Sequence, residues 1–123
     1  MTSIRLHGYP VSNYVNVVRA ALIEKGLVHE MVHRGAAQDD RFLAMNPMGK
    51  IPVLEDRGFF LGETSAILEY LDDRYSDVSL RPADCVQCAR GRQIVNIVQM
   101  YVEAPARSLF PGVFMGGRNE DGT

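Results

Sequence analysis

Apolar positions along this chain recur first with a period of two and then with a period near 3.6, and the switch repeats. In the opening SIRLHGY, Ile4 and Leu6 alternate with polar residues, which predicts a short strand over residues 3–9 ended by Gly8 and Pro10. Val15, Val18 and Leu22 then follow helical spacing. Ser12 or Asn13 serves as N-cap, and Lys25-Gly26 supply a basic last turn and a stop. Residues 27–33 set Val28 and Val32 on one face and Leu27 and Met31 on the other, a strand whose two faces can both be covered. This β-α-β unit implies a parallel pair with a right-handed connection.

Residues 34–49 read as a linker holding a short helix over residues 39–45, stopped by the breaker pair Asn46-Pro47. Two apolar runs, IPVLE and GFFL, flank Asp56-Arg57-Gly58 and predict a tight antiparallel hairpin. Pro52 cannot donate to a ladder, so it belongs at the start of its strand or on an edge. Ile67, Leu68, Leu71 and Tyr75 form one stripe of a helix over residues 65–75. The order β-α-β-β-β-α is that of a thioredoxin-like α/β domain, placed at residues 1–78. Residues 76–84 form a linker, with Pro82 and Asp84 suited to a helix start. A helix over residues 84–103 then opens a partial all-helical domain at residues 84–117, and residues 118–123 form a polar tail.

Composition narrows the function classes. The 123 residues carry 13 Lys plus Arg against 15 Asp plus Glu, a net charge of -2, and no block of like charge. No electrostatic footprint for nucleic acid or an anionic membrane results. No apolar run approaches the roughly eighteen residues of a membrane span, and the N-terminus lacks the build of a signal peptide, so a cytoplasmic chain is expected. Cys85 and Cys88 are too close to close a useful loop, in keeping with a reducing compartment.

In a thioredoxin-like fold, chemistry sits where the first strand hands over to the first helix, because the unpaired N–H groups of the helix favour a thiolate. Here that place reads Pro10-Val11-Ser12-Asn13-Tyr14, with no cysteine, so the protein's own thiol redox is excluded there. Ser12 reads two ways: as a helix cap, or as a hydroxyl that donates to a thiolate carried by a ligand. The Ile51-Pro52 bond, between a turn and an edge strand, is suited to the cis form. That form turns the Ile51 N–H and C=O outward, where an extended peptide can pair with them. Lys50 is placed to meet a carboxylate, or is simply solvated. Gly62-Glu63-Thr64-Ser65 opens the next helix, offering an anion site with Glu63 for an ammonium, or merely a cap from Thr64 or Ser65. Together these elements describe a ligand with an ammonium and a carboxylate at one end, a thiol-bearing peptide-like middle and a second carboxylate. Glutathione fits. His7, His29, His33 and the Cys85/Cys88 pair do not assemble a metal site, and none is expected.

The stretches GYPVS and NPMGKIPVLEDRGFFLGETSAILEYLDDRY resemble the N-terminal domain of cytosolic glutathione transferases. The stretch RPADCVQCARGRQIVNIVQMYVEAPARSLFPGVFMGG resembles the start of their helical second domain. The resemblance implies a transferase that activates the glutathione thiol for attack on a hydrophobic electrophile, and a homodimer. In serine-type members the catalytic hydroxyl lands on Ser12, with Asn13 and then Tyr14 as alternatives. In tyrosine-type members it would fall on Gly8, which sets Tyr9 aside. The cis-proline maps to Pro52, the cysteinyl-pairing backbone to Ile51, and the γ-glutamyl pair to Glu63 and Thr64, where Thr replaces the usual Ser. The glycyl-carboxylate ligands have no clear counterpart: Arg34 and Gln38 are nearest, and Lys50 carries that role. The electrophile pocket belongs largely to the second domain, of which only the start is expected here. The alternative is a non-catalytic member serving as a binding or dimerisation module.

Overall fold

Ile4 and Leu6 are buried on one face of the first strand, β1 (Ile4–His7), and α1 (Asn13–Glu24) contributes Val15, Val18, Ala21 and Leu22 to the same cluster. The structure, a computed structural model, describes residues 3–114 and residue 116. The chain divides into two units, Met1–Leu80 and Arg81–Thr123. In the first unit β2 (His29–Val32), α2 (Asp40–Met45), β3 (Val53–Asp56), β4 (Phe59–Gly62) and α3 (Thr64–Arg74) follow α1. The sheet order is β2-β1-β3-β4, with β1 and β2 parallel and the β1–β3 and β3–β4 pairs antiparallel. This is the thioredoxin-like arrangement, with the short α2 inserted before β3.

The helices cap as their sequences require. Asp39 Oδ1 accepts from Phe42 N at 3.0 Å and starts α2, so that Phe42 is fully buried. Ile67 and Leu71 place the stripe of α3 against Leu54, Ile4 and Leu6. The hairpin turns on Arg57 (φ 52) and Gly58 (φ 83), positive at both central positions, which matches the right-handed twist of the flanking strands.

Two expectations are corrected. β2 lies at the margin of the sheet with no fully buried residue, and Val28 precedes the strand with 75% of its surface exposed. Of this strand only Met31 packs against the core cluster, because a marginal strand is not covered on both faces. Lys25, read as a basic last-turn residue, is instead the buried C-cap of α1 and pairs with Asp72 of α3.

The second unit begins at α4 (Cys85–Ile97), capped by Asp84, whose Oδ2 accepts from Gln87 N at 2.9 Å. The helix continues through a wide π-helical turn, Val98–Glu103, into α5 (Ala104–Arg107), and α6 (Phe110–Phe114) follows. Helical structure therefore passes the expected end at residue 103. The wide turn ends at Glu103, two residues before Pro105, whose missing N–H cannot donate back into the preceding turn. No described residue of α4 to α6 is buried. Residue 117 and the expected tail at 118–123 lie outside the described residues.

Candidate functional site

The register of the sheet aligns Val32, His7, Val53 and Gly62 side by side across four strands. β1 runs toward that row, β3 starts from it, and β4 ends on it. The segments leading to Ser12, holding Ile51-Pro52 and beginning at Glu63-Thr64 therefore all leave the sheet at one end. Helices α1 and α3 also begin there, at Asn13 and Thr64, so two sets of unpaired N–H groups open on the same region.

Ser12 is the N-cap of α1, and its Oγ accepts from Val15 N at a long 3.4 Å. A hydroxyl accepts through its lone pairs and donates through its hydrogen, so capping leaves Ser12 Oγ–H able to donate. The two readings of Ser12 are chemically compatible. Asn13 is the exposed first residue of α1, and Tyr14 is half-buried. Gly8 is buried, and a Cβ there would collide with Val15, so no side chain fits the tyrosine-type position. Tyr9 is exposed beside the His33 ring, with centroids 6.4 Å apart.

The Ile51–Pro52 peptide is cis, and Pro52 is buried directly before β3. Ladder pairing begins at Val53, so the Ile51 backbone lies outside it. Lys50 is exposed. Glu63 is the N-cap of α3 with φ 65 and ψ 116, and it makes no side-chain capping bond. Thr64 and Ser65 are the first residues inside the helix, so the reading in which either caps it is not met. The exposed Glu63 carboxylate therefore stands beside a helix start whose N–H groups it does not cap.

Sequence reasoning missed Asn46, which it took only as a helix stop. Asn46 is buried; its Nδ2 donates to Lys50 O at 2.9 Å and its Oδ1 accepts from Met48 N at 3.3 Å. It also packs flat against Gly62, where a Cβ would come within 2.7 Å of its Cγ, Nδ2 and Oδ1. One side chain thus shapes the turn carrying Lys50 and holds it against the residue preceding Glu63. The available signal was an Asn two positions before a turn amide, the Asx-turn pattern. Gln38 Nε2 reaches Met48 O at 3.5 Å, while Arg34 stacks over Phe42 with its Cζ 3.8 Å from the ring centroid. Among the described residues no group of three or more His, Cys, Asp or Glu is placed to hold a metal ion.

These groups gather at one end of a thioredoxin-like sheet. Residues 6–79 match the family model described as Glutathione S-transferase, N-terminal domain, and the chain belongs to the glutathione S-transferase family. A Glutathione S-transferase of Pseudomonas putida is 42% identical over 113 residues, covering 92% of this chain and 51% of that protein. Glutathione Transferase E6 from Drosophila melanogaster shares the fold with a TM-score of 0.82 at 28% identity, over 94% of this chain and 55% of that one. A glutathione transferase homolog from Burkholderia, solved with bound glutathione, gives a TM-score of 0.66 at 28% identity, over 79% of this chain and 53% of that one. The chain spans about half the length of the curated relatives it matches. No helix among the described residues is long and apolar enough to cross a membrane.

Proposed function

We propose that this chain binds glutathione at the sheet end described above and activates its thiol for attack on a hydrophobic electrophile, as the first half of a cytoplasmic, homodimeric glutathione transferase. The observation that carries the reading is the shared row Val32-His7-Val53-Gly62, from which the Ser12, Ile51-Pro52 and Glu63-Thr64 segments all depart. Glu63 takes the γ-glutamyl ammonium, and Thr64 with the open start of α3 takes its carboxylate. The Ile51 backbone pairs with the cysteinyl residue, and Lys50 meets the glycyl carboxylate. Ser12 donates to the sulfur.

Magnitudes divide the labour. A thiol of pKa about 8.5 is roughly 3% ionised at pH 7, and lowering it by about two units ionises roughly three quarters. The less basic thiolate is intrinsically slower by about 6- to 10-fold, so the net gain from ionisation is only a few-fold. Holding the electrophile beside the sulfur can supply about 7 kcal/mol or more. The expected behaviour of the 123-residue chain is therefore glutathione binding with slow conjugation of an aromatic halide.

Retention on immobilised glutathione tests the reading. The unmutated chain should be retained and Glu63→Ala and Thr64→Ala should not. Ser12→Ala should be retained while losing the ultraviolet absorbance of the bound thiolate. Failure of the unmutated chain to bind would instead make it a non-catalytic module on this fold.

A further inference from the structure

Two thiols lie in the second unit. Cys85 is the exposed first residue of α4 and Cys88, one turn later, is half-exposed; both are free. On an α-helix, residues three apart have Cα atoms about 5 Å from each other. That lies inside the roughly 4.4–6.8 Å Cα window of a disulfide, while the Cβ atoms, about 5–6 Å apart on a helix face, must close to about 4 Å by a small shift of this first turn. Cys88 N donates to Asp84 O at 2.9 Å, so the helical ladder holds both residues in this register. The loop such a bond closes is too short to stabilise the fold appreciably, since the gain grows with loop length. A bond here is chemical rather than structural.

The surroundings favour a small oxidant. The face bearing Cys85 and Cys88 continues through Ala89, Arg92, Gln93 and Asn96, residues of an open cleft of about 490 Å³. The cleft sets the Arg92 guanidinium and the Gln93 and Asn96 amides one to three turns further along the same helix, beside Ile97, Met100 and Tyr101, a mixed polar and apolar surface on which a small peptide can lie.

We propose that Cys85 and Cys88 form a reversible dithiol/disulfide couple that exchanges with a small peptide disulfide of the glutathione type. The Cys85 thiolate attacks one sulfur of glutathione disulfide, forming a mixed disulfide and expelling one glutathione thiolate. The Cys88 thiolate then attacks the Cys85 sulfur, forming the intramolecular bond and expelling the second glutathione thiolate. The dithiol gives up two electrons and the peptide disulfide takes them. Exposure makes Cys85 the attacking residue, and position makes Cys88 the resolving one. This couple does not depend on the glutathione site of the first unit.

The full chain is equilibrated in buffers of varied glutathione to glutathione-disulfide ratio, quenched with acid, alkylated, and analysed by mass of the intact chain and of its peptides. The expected product loses two hydrogens, links Cys85 to Cys88 within one peptide, and carries no glutathione at equilibrium. Cys88→Ser should accumulate one glutathione on Cys85, released by dithiothreitol. Diamide, which takes up the two hydrogens of a dithiol without glutathione, should produce the same internal bond, which separates this result from any failure of glutathione recognition. A chain that stays fully reduced at every ratio, keeps stable glutathione adducts with both cysteines present, or pairs only between molecules overturns the proposal.

Discussion

Lys25 Nζ lies 2.6 Å from Asp72 Oδ1, with 1% and 5% of the two side chains exposed. The ammonium also donates to Tyr75 O at 3.0 Å and Val78 O at 2.5 Å, which uses all three of its protons. Asp72 accepts in turn from Leu80 N at 3.0 Å and Ser79 Oγ at 3.3 Å. One buried pair therefore joins the end of α1 to α3 and fixes the segment that leaves α3. Removing one partner strands the other as a buried charge, so Lys25→Met should cost about 3–5 kcal/mol in urea unfolding. Lys25→Met with Asp72→Leu should recover most of that loss, the remainder reflecting the carbonyls of Tyr75 and Val78. A double variant as unstable as the single one would show that the charge imbalance is not the cause.

Acid and alkaline limits follow from named groups. Burial pushes the Asp72 carboxyl up, but the hydrogen bond and charge of Lys25, with Leu80 N–H and Ser79, hold it below the usual carboxylate range. Its contribution is present above the unfolded value of about 3.9 and is lost as pH falls through the lower folded value. Asp72→Asn should flatten that part of the acid limb in a stability-against-pH series.

Tyr70 and Tyr75 both donate to Asp56 Oδ2, at 2.9 and 2.7 Å. Burial first, and then the bond to Asp56, raises both phenols above their usual value. Their stabilisation is fully present below about pH 10 and is lost as pH rises through the folded values. In a tyrosinate absorbance titration, Asp56→Asn should shift these two phenols back only part of the way, since burial is the larger cause. A complete return to the ordinary phenol titration would contradict that ranking.

Period-two and period-3.6 spacing was enough to find β1, α1, the hairpin and α3, because each buries a face made of near neighbours in sequence. Helix starts at Ser12 and Asp84 were legible for the same reason: the cap and the N–H it accepts are three residues apart. Glu63 at the start of α3 was not, since nothing in GETS announces a cap that makes no side-chain bond. Lys25–Asp72 and Asn46–Gly62 join distant parts of the chain, and no periodicity marks which polar residue will be buried. The motif residues Pro52 and Glu63 were visible as chemistry, whereas Asn46, which shapes the turn before Pro52 and packs on the residue before Glu63, was hidden by its neighbour Pro47.

Asn46 and Gly62 should be energetically coupled. Asn46→Ala leaves Lys50 O and Met48 N without their partner, an expected cost of about 1–3 kcal/mol. Gly62→Ala drives a Cβ to 2.7 Å from the Asn46 side chain and should also destabilise. The double variant removes the obstacle along with the clash, so its cost should fall short of the sum by on the order of 1 kcal/mol. Each single variant should also weaken retention on immobilised glutathione, since each displaces the turn carrying Lys50 and Ile51. Strict additivity in chemical denaturation would mean that the two residues do not press on one another.

Glu63 holds φ 65 and ψ 116, a backbone conformation that residues with a Cβ rarely adopt. Holding a side chain there costs about 1–3 kcal/mol, a cost such residues bear where function requires it. Glycine relieves the strain but gives up about 0.5–1 kcal/mol through the greater freedom of its unfolded chain. Glu63→Gly should therefore stabilise the domain by about 1 kcal/mol, while abolishing retention on immobilised glutathione. Glu63→Ala removes the same carboxylate and keeps the Cβ, so it should lose retention with no gain in stability. The pair separates the two roles of the position: binding follows the carboxylate and stability follows the backbone. If Glu63→Gly proved less stable than Glu63→Ala, the strain would not be stored at this residue, and its exposed carboxylate would have to contribute to the fold as well as to the ligand.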